Sequence, residues 1–167
     1  MRMFIPEIGT RLTLEDAWTF TLHREHRNET IWNKLRAADP APFERMDVEV
    51  RNAYDLLDEY RNRPISRDPA TRERNEEQFR AQIAYLSDIE KIDVTLPAGT
   101  EITIDRIYIR KGISDYSSVT FNLNKTDHPV LDVKGRKRFW AKLDDVNRIE
   151  YAPLPDPEAA LEEGPTP

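Results

Sequence analysis

The sequence predicts an α+β protein in which two β segments flank a helical segment. Two similar turns open the β segments, one at Gly9-Thr10 and one at Gly99-Thr100, and an apolar-Pro pair precedes each of them. Alternating apolar residues follow each turn, which is the pattern of a strand with one buried face. Between the two segments, apolar residues recur every three or four positions, which is the pattern of helices. With 167 residues, the chain is long enough for one domain with a substantial core.

The stretch before residue 27 predicts a β-hairpin. Leu12 and Leu14 alternate with polar residues before an acidic turn, and Trp18, Phe20 and Leu22 alternate after it. Threonines occupy several of the intervening positions, and such β-branched polar residues suit the exposed face of a half-buried sheet.

Three helices are expected in the middle of the chain. The first begins near Asn28 and stops before Asp39-Pro40, because proline disfavours helix in the residue that precedes it. The third begins with Asp68 as the N-cap and Pro69 at the first helical position. The second and third helices are joined by a short connection, so they should form an antiparallel hairpin. Their inner faces are predicted from spacing to be Met46, Val50, Ala53, Tyr54, Leu57 and Tyr60 in one helix, and Phe79, Ile83, Leu86 and either Ile89 or Glu90 in the other.

The chain is expected to return to β structure at Ile92. Further strands are expected at 102–108, 118–123, 138–143 and 148–151, with one helical turn from Leu143 to Asn147 before the last of them. The end of the chain is rich in proline and in acidic residues and has few apolar ones. It is therefore predicted to be a disordered acidic tail.

The order of these elements resembles an SH3-like small β-barrel over about residues 93 to 151. The resemblance is carried by the Leu96-to-Thr100 turn entering a strand, a turn at Lys111-Gly112, a strand from Phe139 to Leu143, the single turn from Asp144 to Asn147, and a short last strand. A one-turn 3₁₀ helix before the last strand is a recurrent feature of that family. The resemblance implies a barrel built from residues 1–27 and 92–151, a helical insertion at 28–91, and the tail at 152–167. The compact length, the lack of cysteine and the lack of an enzyme motif also resemble uncharacterised accessory proteins of tailed bacteriophages.

Composition restricts the functions that are open to this chain. The absence of cysteine excludes disulfides, thiolate zinc sites and cysteine nucleophiles. A mean hydropathy of -0.73 and the lack of an apolar run long enough to span a bilayer predict a soluble, cytoplasmic protein without membrane contact. The net charge of -6 opposes simple attraction to nucleic acid. The sequence indicates no cofactor.

The best-supported candidate for a binding surface is a stretch rich in basic and aromatic residues near the C-terminal strands. From Asp105 to Lys142, nine basic residues stand against four acidic ones, a local excess of +5. Cations can follow a phosphate backbone and aromatic faces can stack on bases. Strand alternation predicts that Trp140 points outward if Phe139 faces the core. The predicted binding residues are Tyr108, Arg110, Lys111, Tyr116, Arg136, Lys137, Arg138, Trp140 and Lys142. In the alternative reading, the cations keep strand edges soluble and the aromatics fill the core.

Two other clusters of polar residues are candidates for a site. The connection between the long helices is rich in arginine and offers a docking tip, but six acidic residues balance its charge: Arg61, Arg63, Arg67, Arg72, Arg74 and Arg80 stand against Asp58, Glu59, Asp68, Glu73, Glu76 and Glu77. His23, His26 and Glu29 could ligate a metal only at a strand-to-helix transition, and a surface pair near a turn is the simpler interpretation.

No catalytic motif occurs in the sequence, so the hypothesis is a non-enzymatic binding module with a protein partner. The partner is expected to bind through the surface around Trp140 and the tip of the helical insertion. The alternative is a small barrel that binds nucleic acid through Arg110, Lys111, Arg136, Lys137, Arg138 and Trp140.

Overall fold

The structure, a computed structural model, describes residues 7–109, 117–131 and 137–153 and confirms a mixed α+β protein with antiparallel sheets. The chain divides into two compact units. Arg36–Lys91 forms one unit, here called the helical hairpin, and the residues before and after it form the other, here called the sheet unit. The predicted acidic tail lies outside the described residues, apart from its first two positions.

The elements follow the order expected from the sequence. The strands are β1 (Arg11–Leu14), β2 (Trp18–His23), β3 (Lys91–Leu96), β4 (Glu101–Tyr108), β5 (Ser118–Lys125), β6 (Lys137–Lys142) and β7 (Tyr151–Pro153). The helices are α1 (Glu29–Ala38), α2 (Ala41–Asn62), α3 (Pro69–Ile89) and the single turn α4 (Leu143–Val146), and a 3₁₀ turn covers His26–Asn28. The predicted helical turn before the last strand is therefore present.

The strands form two antiparallel sheets. One has five strands in the order β6-β5-β4-β1-β7, and the other pairs β2 with β3. Among the described residues neither sheet closes into a barrel, so the SH3-like closure stays a prediction.

The predicted hairpin of β1 and β2 is wrong, because the two strands belong to different sheets. β1 lies between β4 and β7, with Leu12 opposite Ile102 on one side and Pro153 on the other. Alternation correctly identified the apolar face of each strand, and Leu12, Leu14 and the apolar residues of β2 are buried. Alternation specifies a buried face but not the neighbour that pairs with the backbone, and that choice depended on residues far along the chain.

The two Gly-Thr turns have equivalent positions at opposite ends of the β1–β4 pair. The Gly9 amide donates to the Ile104 carbonyl at 2.7 Å, and the Gly99 amide donates to the Leu14 carbonyl at 2.8 Å. Both glycines have positive φ, +89° and +79°, a conformation that costs other residues energy. Each turn therefore precedes one strand of the pair and bonds to the other strand.

An aromatic core lies between the two sheets. Trp18 and Phe20 of β2 stack with ring centroids 4.5 Å apart, and Phe20 stacks on Phe139 of β6 at 5.0 Å. Phe121 of β5 meets Trp18 edge-on at 5.7 Å. The helical turn α4 is tied to the same strand, because the Trp18 indole N–H donates to the Asp145 carbonyl at 2.9 Å. The amino-terminal and carboxy-terminal β segments thus share one core.

In the helical hairpin, α2 and α3 form the predicted pair of helices. Asp68 is the N-cap of α3, as expected, and its carboxylate accepts the Thr71 amide at 3.0 Å. Two residues predicted for the inner face are exposed: Tyr54 at 55% and Ile83 at 47%. Each is adjacent to a residue that takes the inner position, Ala53 in α2 and Gln82 in α3, and the Gln82 amide donates to the Ala53 carbonyl at 3.4 Å. In the described residues, no helix is both long and apolar enough to cross a membrane.

Candidate binding surfaces

The structure distributes the predicted binding residues between buried and exposed positions. Arg110, Lys111, Tyr116 and Arg136 lie outside the described residues. Lys137 is only 5% exposed, whereas Arg138 and Lys142 are half-buried. Tyr108, at the end of β4, is exposed. The described members of the set therefore do not form one continuous exposed surface.

Trp140 is not the exposed aromatic that strand alternation predicted. It points away from the fully buried Phe139, as expected, yet its own exposure is 7%. The His23 ring stacks on Trp140 with centroids 5.2 Å apart and planes only 5° from parallel. The Arg27 guanidinium covers the ring at 5.2 Å. The prediction of an exposed tryptophan is wrong because the end of β2 and the following 3₁₀ turn cover this face of β6.

Arg27 is already held by four groups of the sheet unit. Its guanidinium lies 5.0 Å from the Tyr108 ring centroid as well as against Trp140. It donates from Nη1 to the Thr120 hydroxyl at 3.3 Å and from Nε to the Glu25 carboxylate at 3.0 Å. We call His23, Arg27, Tyr108 and Trp140 the aromatic stack. Its cation–π contacts are satisfied within the chain, which leaves the Trp140 face unavailable for stacking on a base.

Asn28 holds the 3₁₀ turn over β6. It is fully buried, its Oδ1 accepts the Trp140 amide at 2.7 Å, and its Nδ2 donates to the His23 carbonyl at 2.9 Å. Sequence reasoning missed Asn28, His23 and Arg27 as partners of Trp140. They lie more than a hundred residues before it, and no local pattern connects them.

Charged groups at the edge of the aromatic stack are also paired within the chain. The Arg138 and Arg106 guanidinium groups lie 3.2 and 3.8 Å from the Asp105 carboxylate. Arg106 also donates to the Tyr108 hydroxyl at 3.4 Å, and this hydrogen bond lowers the pKa of that phenol. This edge is an ion-pair network, and two of the predicted binding residues, Tyr108 and Arg138, belong to it.

The structure does not bring His23, His26 and Glu29 together as three ligands of a metal ion. His26 lies 3.5 Å from the Glu29 carboxylate on the surface, while His23 is stacked on Trp140. Within residues 7–109, 117–131 and 137–153, no three histidine or acidic side chains are placed to hold a metal ion.

A second candidate surface lies at the tip of the helical hairpin. A cleft of about 580 Å³ is lined by four arginines, Arg61, Arg63, Arg72 and Arg80, and by the apolar side chains of Tyr60, Pro64, Ile65 and Phe79. We call it the arginine cleft. It occupies the end of α2, the connection, and the first half of α3, which is the tip that the sequence identified as rich in arginine.

Aromatic rings hold two of the cleft arginines in place. Arg63 lies 4.2 Å from the Tyr60 ring centroid, and its Nη1 donates to the Gln78 and Asn75 side-chain oxygens at 3.3 and 3.5 Å. Arg61 lies over the Phe79 ring at 5.9 Å. These contacts orient the guanidinium groups without neutralising them, since rings and amide oxygens carry no net charge.

The ion pairs of the arginine cleft are loose and solvated. Arg61 meets Asp58 at 3.5 Å and Arg80 meets Glu76 at 3.5 Å, and all four side chains are more than 60% exposed. Exposed pairs of this kind contribute little free energy. A ligand carboxylate could therefore replace either partner at small cost.

Comparison of the chain with protein-family models, with curated proteins and with solved structures found no match. The functional argument therefore depends on the aromatic stack and the arginine cleft. The first surface is closed by contacts within the chain, whereas the second presents charged and apolar groups to solvent.

Proposed function

We propose that this protein is a non-enzymatic binding module whose main partner is another protein, and that the partner docks on the arginine cleft and the neighbouring connection. One observation carries the proposal: Ile65, which is 88% exposed, lines the same cleft as four arginines. Because Ile65 is so exposed, it should contribute little to the stability of the hairpin. Beside oriented arginines and Tyr60, it has the composition of a protein-binding hot spot.

The sheet unit serves as the scaffold in this proposal, and we propose that it is an SH3-like barrel interrupted by the helices. The strand order supports this view. β6 and β7 lie at opposite edges of the five-stranded sheet, yet the chain joins them through residues 143–150 with a helical turn on the way. A connection this short favours a curled sheet whose edges approach each other. The cytoplasmic location and the likeness to phage accessory proteins stay predictions of the sequence.

The alternative function, nucleic-acid binding through the surface around Trp140, has less support. That proposal needs an aromatic face open to a base, and Trp140 is covered by His23 and Arg27. The exposed groups nearby, Tyr108 and Arg106, bond to each other.

Site-specific photo-crosslinking tests the proposed function. The photoreactive amino acid p-benzoyl-phenylalanine replaces Ile65 in one variant and Ile8 in a control, because Ile8 is also highly exposed, at 66%, but belongs to the sheet unit. Both variants are irradiated in an extract of the native cells. We expect a discrete crosslinked protein from position 65 that is lost when Arg63→Glu is added. No crosslinked protein, or the same protein from position 8, would contradict the proposal.

A further inference from the structure

We propose that the arginine cleft recognises an acidic peptide segment, whose carboxylates pair with the arginines while an aliphatic side chain contacts the apolar wall. This inference rests on the proposed function, because it names the chemistry of the partner. Four observations support it: the local charge, the orientation of the guanidinium groups, the free group at Arg72, and the apolar wall.

The positive charge is confined to the cleft itself. Among the residues that line it, four arginines stand against the single carboxylate of Glu76, a net charge of +3. Across the whole tip, residues 58–80, six arginines are balanced by six acidic residues. A long polyanion laid across the hairpin would meet Asp58, Glu73 and Glu77 as well as the arginines. A short acidic segment can place its charges inside the cleft alone.

The oriented guanidinium groups suit carboxylates. Arg63 stacks on Tyr60 and Arg61 lies over Phe79, so each loses few additional rotamers when a ligand binds. The planar fork of a guanidinium can donate two parallel hydrogen bonds to one carboxylate. The cleft thus presents oriented donors rather than mobile point charges.

Arg72 is the cleft arginine whose guanidinium is available to a ligand. Within the described part of the chain, its guanidinium has no hydrogen bond or ion pair, whereas Arg61, Arg63 and Arg80 each have at least one. The nearby amino terminus of α3 does not compete for the ligand, because the Asp68 carboxylate caps it. A ligand carboxylate would therefore be drawn chiefly to Arg72.

The apolar wall distinguishes a peptide from a simple anion. Tyr60 and Phe79 are half-buried, and Pro64 and Ile65 extend the apolar surface along the connection. The volume of about 580 Å³ lies in the range of pockets that enclose several ligand groups. Free phosphate would use the arginines and leave this wall unused.

Fluorescence anisotropy with the full chain tests the inference. The probe is a labelled peptide of glutamates interspersed with leucines, compared with the same peptide carrying glutamine in place of glutamate. We expect the acidic peptide to bind and the glutamine peptide not to bind. Arg72→Glu should weaken binding by about tenfold or more, since it removes a charge-assisted hydrogen bond and adds repulsion. Arg63→Glu should do the same.

Arg74→Glu is the matched control, because Arg74 is exposed on the same helix and does not line the cleft. It makes the same change of net charge and should leave the affinity nearly unchanged. Circular dichroism establishes that each variant retains its helices. A single-stranded oligonucleotide of equal charge is titrated in parallel and should bind more weakly than the peptide.

Four results would overturn the inference: no binding of the acidic peptide, equal binding of the glutamine peptide, equal losses in the Arg72 and Arg74 variants, or tighter binding of the oligonucleotide. The photo-crosslinking result separates this inference from the proposed function. If Ile65 crosslinks a protein while the acidic peptide fails to bind, the docking surface stands and only the acidic chemistry of the partner is wrong. If both experiments fail, both proposals are wrong.

Discussion

The sheet unit and the helical hairpin use their large side chains in opposite ways. In the sheet unit, Trp18, Phe20, Phe121 and Phe139 are buried and in ring contact with one another. In the hairpin, α3 buries none of its 21 residues, and Tyr54, Leu56, Ile83 and Tyr85 of the two long helices are exposed. The sheet unit thus buries its large apolar side chains in one core, whereas the hairpin leaves several of its own exposed to solvent.

The arginines of the two regions differ in the same way. Arg27 is enclosed by Trp140, Tyr108, Thr120 and Glu25, so its hydrogen-bonding groups are occupied. In the arginine cleft, Arg61 and Arg63 also contact aromatic rings, but the ion pairs of Arg61 and Arg80 are exposed and weak. Aromatic and basic residues therefore occur together in both regions, and only exposure distinguishes a structural cluster from a surface that can bind a ligand.

The largest predicted effect is a difference in stability between a core substitution in the sheet unit and a substitution in the helical hairpin. Phe139→Ala removes a fully buried ring from the centre of the aromatic core and should lower the free energy of unfolding by about 3–5 kcal/mol. Ile83→Ala, at a half-exposed position of α3, should cost less than about 1 kcal/mol. Urea unfolding followed by tryptophan fluorescence and by circular dichroism measures both variants. Similar losses of unfolding free energy in the two variants would contradict the contrast between the two units, because the hairpin would then depend on its apolar residues for folding.

A smaller effect should show that the cover over Trp140 is structural. Asn28→Ala leaves the buried Trp140 amide without its acceptor and should lower the free energy of unfolding by about 1–3 kcal/mol. Asn124→Ala is the control, because Asn124 donates to the Thr103 hydroxyl at an exposed site, where the loss should stay under about 0.5 kcal/mol. A red shift of the tryptophan fluorescence in the Asn28 variant alone would sharpen the comparison, because Asn28 bonds directly to Trp140. Equal losses in the two variants would count against the special role of Asn28.

The smallest predicted effect is a loss of helicity in the helical hairpin at acidic pH. Hydrogen bonds from the Thr71 hydroxyl and amide lower the pKa of Asp68 below its usual range. The folded-state pKa is thus below the unfolded-state pKa, so the stabilisation is fully present above about pH 4 and is lost as the pH falls through the folded value. Helicity measured by circular dichroism should decrease over that acidic range. Asp68→Asn keeps the cap without the titration, and its helicity should lack this step. An identical acid transition in both proteins would exclude Asp68 as its cause.

Local chemistry explains what the sequence predicted correctly. Asp68-Pro69 starts α3 because an acidic N-cap followed by proline suits only the first turn of a helix. The turn α4 and strand β6 before it could be predicted because alternation and turn residues act over a few positions, whereas the last strand, predicted at 148–151, lies at Tyr151–Pro153. The arginines of the tip were also visible in the sequence, but their excess over acidic residues inside the cleft was not, since the total charge of the tip is zero.

The predictions that proved wrong concern contacts between residues that are not neighbours in the sequence. The pairing of β1 with β4 and β7 involves strands about 90 and 140 positions later in the chain, and no spacing rule selects them. The burial of Trp140 depends on His23 and Arg27, which lie before the helices. In the hairpin, periodicity correctly placed Ala53 on the inner face, but it also placed Tyr54 and Ile83 there, and both are exposed. Gln82, the neighbour of Ile83, bonds to Ala53 instead.

The position of β1 also sets an order of assembly. This strand is near the start of the chain, yet both of its neighbours, β4 and β7, follow the three long helices in the sequence, and the Gly9 amide can bond to Ile104 only once β4 has been made. The contacts of the helical hairpin join residues within one stretch of the chain, which favours their formation before the pairing of β1. The surface proposed to meet a partner would then be complete before the scaffold that carries it.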